Sequence, residues 1–70
     1  MIEESTTVAY GDTAGYVRLD QGLERACRGA LADGPVGYTL SDNRDGTATV
    51  YVSGMPDGVR AVVAYADGFR

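Results

Sequence analysis

Residues 36–52 (VGYTLSDNRDGTATVYV) predict a β-hairpin with one apolar and one polar face. Apolar and polar residues alternate on both sides of a turn-rich stretch, which is the pattern of half-buried strands. Pairing Ser41 with Thr47 leaves a five-residue loop, Asp42 to Gly46, and turns every apolar side chain of the hairpin to the same face. On that face three pairs are expected to lie opposite each other: Leu40 with Ala48, Tyr38 with Val50, and Val36 with Val52.

A second pattern, over residues 23–31, predicts an amphipathic helix. Its apolar residues recur at i, i+3, i+4, i+7 and i+8, the spacing of one helical face: Leu23, Ala26, Cys27, Ala30 and Leu31. Gly34 is expected to cap the end of this helix in a left-handed conformation, and Pro35 prevents the helix from continuing. The sequence thus supplies an apolar helix face that can cover the apolar face of the hairpin.

The start of this helix has two interpretations. In the first, residues 16–19 (YVRL) form a short strand and Asp20 is the N-cap, whose carboxylate accepts from a free backbone N–H. In the second, the helix begins near Tyr16, because Tyr16 and Leu19 extend the same apolar stripe. The turn-like residues 12–15 (DTAG) and the strand-like composition of the following segment favour the first interpretation.

The two ends of the chain are less distinctive. Residues 6–10 (TTVAY) alternate and predict a strand, whereas residues 1–5 are expected to be a frayed lead-in. Residues 54–58 (GMPDG) predict a turn, and residues 59–66 (VRAVVAYA) fit either a strand or a helix. Their β-branched content favours a strand, which would leave an apolar sheet edge over residues 59–65.

Together these elements predict a small α+β fold in a single domain, residues 1–70. The expected architecture is a mainly antiparallel sheet of three to five strands with one amphipathic helix packed on one face. A core of this size supplies only about 3–5 kcal/mol, so a partner subunit, such as a second copy in a homodimer, is expected. The residues expected to point inwards are Val8, Tyr10, Leu23, Cys27, Leu31, Val36, Tyr38, Leu40, Val50, Val52 and Val63.

The negative net charge of the chain indicates which class of partner it can bind. The net charge is −4, and all six basic residues are arginine. Because phosphate backbones require positive charge, direct binding of nucleic acid is disfavoured, whereas a protein partner with a basic surface is favoured. No apolar run is long enough to cross a membrane, and the first residues are acidic rather than signal-like. We therefore expect a cytoplasmic protein without membrane contact.

Few residues in the sequence could perform catalysis. The chain has no histidine, which excludes a Ser-His-Asp triad and imidazole metal ligands, and it has no phosphate-binding glycine motif. Cys27 is the single cysteine, and its place on the apolar stripe predicts a buried, inert thiol. The loop at residues 41–46 resembles a calcium loop in composition only, because Val52 stands where a bidentate glutamate is required. We expect no enzyme activity, no metal and no cofactor.

One cluster of charges is predicted under either start of the helix. Four carboxylates are expected at the same end of the sheet, with two arginines among them: Asp20, Asp42, Asp45 and Asp67, with Arg44 and Arg70. Such a rim is either a solvated loop end or an acidic patch that docks on a basic surface. The polar face of the hairpin is a second candidate surface, on which Tyr51 is expected opposite Gly37 and could act as an anchor.

These features favour a small acidic, non-enzymatic protein-binding module. It would be an occluding inhibitor that docks on a basic, nucleic-acid-binding surface of a partner. Phage-encoded anti-CRISPR inhibitors exemplify this class by size, acidity and lack of catalytic residues, which is an analogy of class and not of motif. The alternative is a small structural or regulatory homodimer from a salt-adapted or GC-rich cytoplasm. An enzyme that relies on carboxylates and tyrosines alone is a third hypothesis.

Overall fold

A computed structural model describes residues 1–69, which form three strands and two α-helices. The elements are β1 (Ile2–Ala9), α1 (Thr13–Ala30), a 3₁₀ turn (Leu31–Asp33), β2 (Val36–Asp42), β3 (Thr47–Gly54) and α2 (Pro56–Asp67). The strand order in the sheet is β1-β3-β2, and β3 is antiparallel to both of its neighbours. The predicted α+β fold with an antiparallel sheet is confirmed, and a second helix adds to the one that was expected.

Both helices pack on the same face of the sheet. Side chains alternate along β3, and its even-numbered residues are buried beneath the helices. The fully buried core is built jointly by β3, α1 and α2: Ala48, Val50, Val52, Leu19, Leu23, Val59 and Val62. Burial of this apolar surface is the main stabilising contribution in so small a domain. The odd-numbered residues of β3 lie on the opposite face, which neither helix covers.

The predicted core is confirmed in large part. Five of the residues expected to point inwards are buried: Val8, Leu23, Cys27, Val50 and Val52. Five others are half-buried against them: Tyr10, Val36, Tyr38, Leu40 and Val63. Leu31 is exposed instead, because α1 ends at Ala30 and Leu31 begins the 3₁₀ turn. Gly34, with a positive φ of 126°, closes that turn before Pro35.

The hairpin has the predicted faces, but its register differs from the prediction. Leu40 lies opposite Val50, which is a shift of two residues along β3. Because side chains alternate with a period of two, this shift keeps every residue on its expected face. Pairing continues up to Asp42, and the Asn43 N–H donates to the Thr47 carbonyl at 3.0 Å. The loop is therefore shorter than the sequence pattern predicts.

The helix α1 begins earlier than either interpretation of the sequence expects. Asp12 is the N-cap, and its Oδ1 accepts from the Gly15 N–H at 2.8 Å. The residues interpreted as a turn are therefore the cap and first turn of a helix. The strand over residues 16–19 and the N-cap at Asp20 are both wrong. Gly15 is required at its position, since a Cβ there would overlap the carbonyl oxygen of Tyr10.

Residues 59–66, for which the sequence favours a strand, lie within α2. Pro56 occupies the first turn of this helix, where its lack of an N–H is harmless. Val59, Val62 and Ala66 share one helical face and are buried, whereas a strand would bury alternate residues. The strand predicted for residues 59–66 and its apolar edge are therefore wrong. Burial on a helical face outweighs the β-branched preference of this segment.

The N-terminal residues belong to the sheet. Ile2 to Ser5 pair with residues 51–54 of β3, so the lead-in predicted for residues 1–5 is not frayed over this stretch. Ile2 also packs, half-buried, against the core. The two glutamates at positions 3 and 4 obscure this strand in the sequence, because they interrupt the apolar alternation.

Candidate functional site

The open edge of β2 is the backbone feature on which the candidate site is built. The Asn43 N–H donates to the Thr47 carbonyl at 3.0 Å, and the Met55 N–H donates to the Pro35 carbonyl at 2.9 Å. Odd-numbered residues along β2 therefore exchange hydrogen bonds with β3. Because this pattern alternates in an antiparallel pair, the even-numbered residues turn their backbone N–H and C=O groups outwards. No strand within residues 1–69 pairs on that side.

Asp20 stands beside this edge and is held by a tyrosine of β2. The Tyr38 hydroxyl donates to Asp20 Oδ1 at 2.6 Å and lies 3.2 Å from the Asp20 carbonyl oxygen. Burial, the hydrogen bond to Asp20 and the nearby negative charges of Asp20 and Glu24 raise the pKa of Tyr38 far above its usual range. The hydroxyl is protonated at neutral pH, as in any tyrosine, and its hydrogen bond orients the carboxylate from the side of the sheet.

Asp42, the last residue of β2, and Asp45, in the hairpin loop, are both held by hydrogen bonds. Asp42 Oδ1 accepts from the Arg44 N–H at 2.9 Å and from the Tyr10 hydroxyl at 2.8 Å, and these two bonds lower the pKa of Asp42. Asp45 Oδ1 accepts from the hydroxyl and the N–H of Thr47, which lowers the pKa of Asp45. Both carboxylates are therefore ionised at neutral pH and have defined positions.

The structure brings only part of the predicted acidic rim together. Asp42 ends β2 and Asp45 lies in the hairpin loop that follows it, while Asp20 contacts β2 through Tyr38. Asp67 lies elsewhere, because its Oδ1 accepts from the Thr6 hydroxyl at 2.5 Å on β1, the opposite edge strand. This placement follows from the helical course of α2, which packs against β1.

Arg70, expected within the rim, lies outside the described residues. We define the acidic β2 edge as Asp20, Asp42 and Asp45 together with the open backbone edge of β2. This surface combines directional hydrogen-bonding groups with fixed negative charge.

Tyr51 lies on the outer face of the sheet, away from the helices. It is 45% exposed and pairs with Ser5 of β1 and Thr39 of β2, whereas the sequence places it opposite Gly37. Most of its neighbours on this face carry hydroxyl groups: Ser5, Thr7, Thr39, Ser41, Thr47, Thr49 and Ser53. Glu3, opposite Ser53, brings one carboxylate to this face, fewer than the three held beside β2 and in its hairpin loop. We therefore place the candidate site at the acidic β2 edge.

A groove between the two helices is not anticipated by the sequence analysis. It has a volume of about 420 Å³ and is lined by Arg18, Gln21, Gly22, Arg25, Tyr65, Gly68 and Phe69. The sequence does carry a signal, because residues 18, 22 and 25 recur at helical spacing and residues 65 and 69 are four apart. That signal is visible only when residues 56–67 form a helix, whereas the β-branched content of residues 59–66 favours a strand.

Cys27 is buried, as predicted, and burial raises the pKa of its thiol, which reduces the reactive thiolate fraction. Within residues 1–69, no group of three or more Cys, Asp or Glu side chains could hold a metal ion. Neither helix in this range has the length and apolar character needed to cross a membrane.

Comparison with known proteins gives no relative from which a role could be transferred. No family model matches the chain, and no curated protein or solved structure matches it either. Any function for this chain therefore has to be argued from the surfaces described above.

Proposed function

We propose that this chain is a protein-binding module that takes a basic, extended segment of a partner protein along the acidic β2 edge. The observation that supports the proposal best is the position of three fixed carboxylates beside an open strand edge. An added strand would gain main-chain hydrogen bonds from the even-numbered residues of β2. Alternate side chains of that strand would face the helix side, where Asp20 and Asp42 lie.

The tyrosine hydroxyls favour this mode of binding. Tyr38 and Tyr10 each use part of the acceptor capacity of one carboxylate, and an ionised carboxylate accepts several hydrogen bonds. The remaining acceptor sites are available to an arginine or lysine of the partner. Because the carboxylates are already held in place, less side-chain entropy is lost on binding.

The charge of the edge also defines the class of partner. Nucleic-acid-binding proteins present clustered Lys and Arg residues, which suit a surface of opposite charge. A module that covers such a cluster competes with nucleic acid for it, and this is the occluding inhibition that we propose for the chain. A second copy fits this edge less well, since pairing β2 with β2 would place carboxylates of like charge close together.

A synthetic peptide of alternating arginine and threonine tests the proposal. We expect it to bind with an affinity that falls as salt rises, and to protect the amides of Tyr38 and Leu40 from hydrogen exchange. We expect peptide binding to weaken about tenfold in the triple variant Asp20→Asn, Asp42→Asn, Asp45→Asn, which lacks all three charges. Each exposed ion pair contributes about 0.2–1 kcal/mol to binding. Asparagine keeps an acceptor oxygen, so the loop should remain folded.

The matched control is Asp33→Asn, Asp57→Asn. It removes carboxylates from the 3₁₀ turn and from the start of α2, which lie at the Val36 end of β2, opposite the end that carries the hairpin loop. If this control weakens binding as much per charge as the triple variant, the attraction is diffuse and the edge is not a site. The proposal would fail if sedimentation showed a dimer and the Tyr38 and Leu40 amides were protected from hydrogen exchange without peptide. A second copy of the chain would then be the occupant of this edge.

A further inference from the structure

The strand β1 forms the second open edge of the sheet. The Tyr10 N–H donates to the Gly46 carbonyl at 3.0 Å, so the even-numbered residues of β1 exchange hydrogen bonds with β3. The odd-numbered residues therefore turn their backbone N–H and C=O groups away from the sheet. No strand within residues 1–69 pairs on that side of β1. We call this surface the β1 edge, and its free backbone groups can accept another strand.

The sequence of β1 is suited to antiparallel pairing with a second copy of itself. When the pair is centred on Ser5, odd-numbered residues lie opposite odd-numbered residues, so the free backbone groups of the two copies meet. Ile2 of one copy then lies opposite Val8 of the other, because both are equally far from Ser5. Both side chains lie on the helix side of the sheet and pack in the core. Ile2 is only half-buried in the single chain, so the pairing buries further apolar surface.

Two carboxylates oppose this pairing. Glu4 is exposed and lies on the helix side of the sheet, opposite Val52 of β3. In the pair centred on Ser5 it lies opposite Thr6 of the second copy, whose hydroxyl donates to Asp67 at 2.5 Å in its own chain. Glu4 of each copy therefore comes close to Asp67 of the other, and the like charges repel. An inward-facing charge on an edge strand is one means by which proteins keep such an edge from pairing.

We propose that the β1 edge is a self-association surface for a second copy of this chain, and that Glu4 limits the pairing through its repulsion of Asp67. The dimer has one continuous sheet with the helices of both copies on the same side. Its two acidic β2 edges remain free at the outer ends of that sheet. The inference does not depend on whether the acidic β2 edge binds a basic partner.

Sedimentation of the chain at several salt concentrations tests the proposal. Dimerisation should strengthen as salt rises, because screening weakens the repulsion between Glu4 and Asp67. This salt dependence is opposite in sign to that expected for a basic peptide at the acidic β2 edge, so the two proposals can fail separately. At low salt, Glu4→Gln should lower the dissociation constant of the dimer about tenfold, since the repulsive pair occurs twice.

The matched control is Glu3→Gln, which removes the same charge from the neighbouring position. Glu3 lies on the outer face of the sheet, where it would stand opposite Thr7 of the second copy and not near a carboxylate. This variant should change the dissociation constant by less than about twofold, as expected for a charge without a close partner.

A proline in β1 localises the interface. The Ser5 N–H faces away from β3, so Ser5→Pro should keep the ladder between β1 and β3, as prolines on edge strands do. In the Glu4→Gln chain it removes both hydrogen bonds at the centre of the proposed interface. Dimerisation should then weaken at least about tenfold, while circular dichroism shows an unchanged fold.

Hydrogen exchange in the Glu4→Gln dimer locates the contact without a further substitution. The amides of Ser5 and Thr7 should be protected, whereas those of Tyr38 and Leu40 should exchange as in the monomer. The proposal is overturned if the Glu4→Gln chain stays monomeric at millimolar concentration and high salt, or if the outer-face control strengthens association equally. Protection of Tyr38 and Leu40 in place of Ser5 and Thr7, or an equally stable dimer of the folded proline variant, would also overturn it.

Discussion

The two faces of β3 have opposite roles in this domain. Val50 and Val52 on the inner face are fully buried beneath the helices, whereas Tyr51 and Ser53 on the outer face are exposed to solvent. The side chains alternate, so residues that are adjacent in sequence lie in very different surroundings. Stability should therefore depend on the inner face, while substitutions elsewhere on the sheet surface leave the fold intact.

The largest expected effect is that of Val50→Ala on the inner face. Loss of two buried methyl groups and the resulting cavity should lower the free energy of unfolding by about 2 kcal/mol, out of the about 3–5 kcal/mol expected for so small a core. The control on the same strand, Ser53→Ala, should change the free energy of unfolding by less than about 0.5 kcal/mol. Urea unfolding followed by circular dichroism measures both. Equal effects would show that the inner face does not dominate stability.

A smaller loss of stability is expected from removing an aspartate that caps a helix, and a still smaller one from removing an aspartate that forms only an exposed ion pair. Asp12→Ala removes the hydrogen bond to the Gly15 N–H, and should cost about 1 kcal/mol, as N-cap losses do. Asp57→Ala, in the first turn of α2, removes only an exposed ion pair to Arg60 at 3.7 Å, and should cost a few tenths of a kcal/mol, about the value of such pairs. A cost for Asp57→Ala as large as that for Asp12→Ala, in thermal or urea unfolding, would refute this assignment.

The smallest effect concerns the loop carboxylates of the acidic β2 edge. The pKa values of Asp42 and Asp45 are lowered from 3.8 by hydrogen bonds in the folded chain. Their contribution to stability is therefore present above pH 3.8 and is lost as the pH falls through the lowered values.

Carboxyl carbon shifts followed by NMR should show both midpoints below 3.8. Thr47→Ala, which removes the hydroxyl that donates to Asp45, should raise the Asp45 midpoint and leave that of Asp42 almost unchanged. Midpoints at the ordinary value in the parent chain would show that the loop does not hold its carboxylates.

Much of the fold was predictable where one periodicity was unambiguous. The two faces of the hairpin follow from strict alternation. They are predicted correctly although the register is wrong by two residues, because side chains alternate with a period of two. The start of α1 at Thr13 does not follow from the sequence, because residues 12–15 suit a turn as well as the capped first turn of a helix. The helix α2 was missed because its apolar residues fit both periods, and only the packing of Val59 and Val62 against the sheet distinguishes them.

The candidate site was predictable only in part, for a related reason. Asp42 and Asp45 lie in a local loop, so the sequence places them correctly relative to each other. The position of Asp67 depends on the course of α2, which brings it against β1 and not beside Asp20, Asp42 and Asp45 as predicted. The hydrogen bond between Tyr38 and Asp20 joins residues 18 positions apart, and no local sequence pattern predicts it. The groove requires both helices and could not be predicted without α2.

The strand order has a consequence for how the chain acquires its structure. β1 and β2 both depend on β3, which comes last of the three strands in sequence yet occupies the centre of the sheet. A nascent chain that ends before residue 47 can form α1 locally but cannot form any part of the ladder. Because β1 pairs with residues that follow it by 38 (Ala9 with Thr47) to 52 (Ile2 with Gly54) positions, closing that long loop should control the folding rate. During synthesis on the ribosome, the sheet would then assemble in one step, after the central strand has emerged.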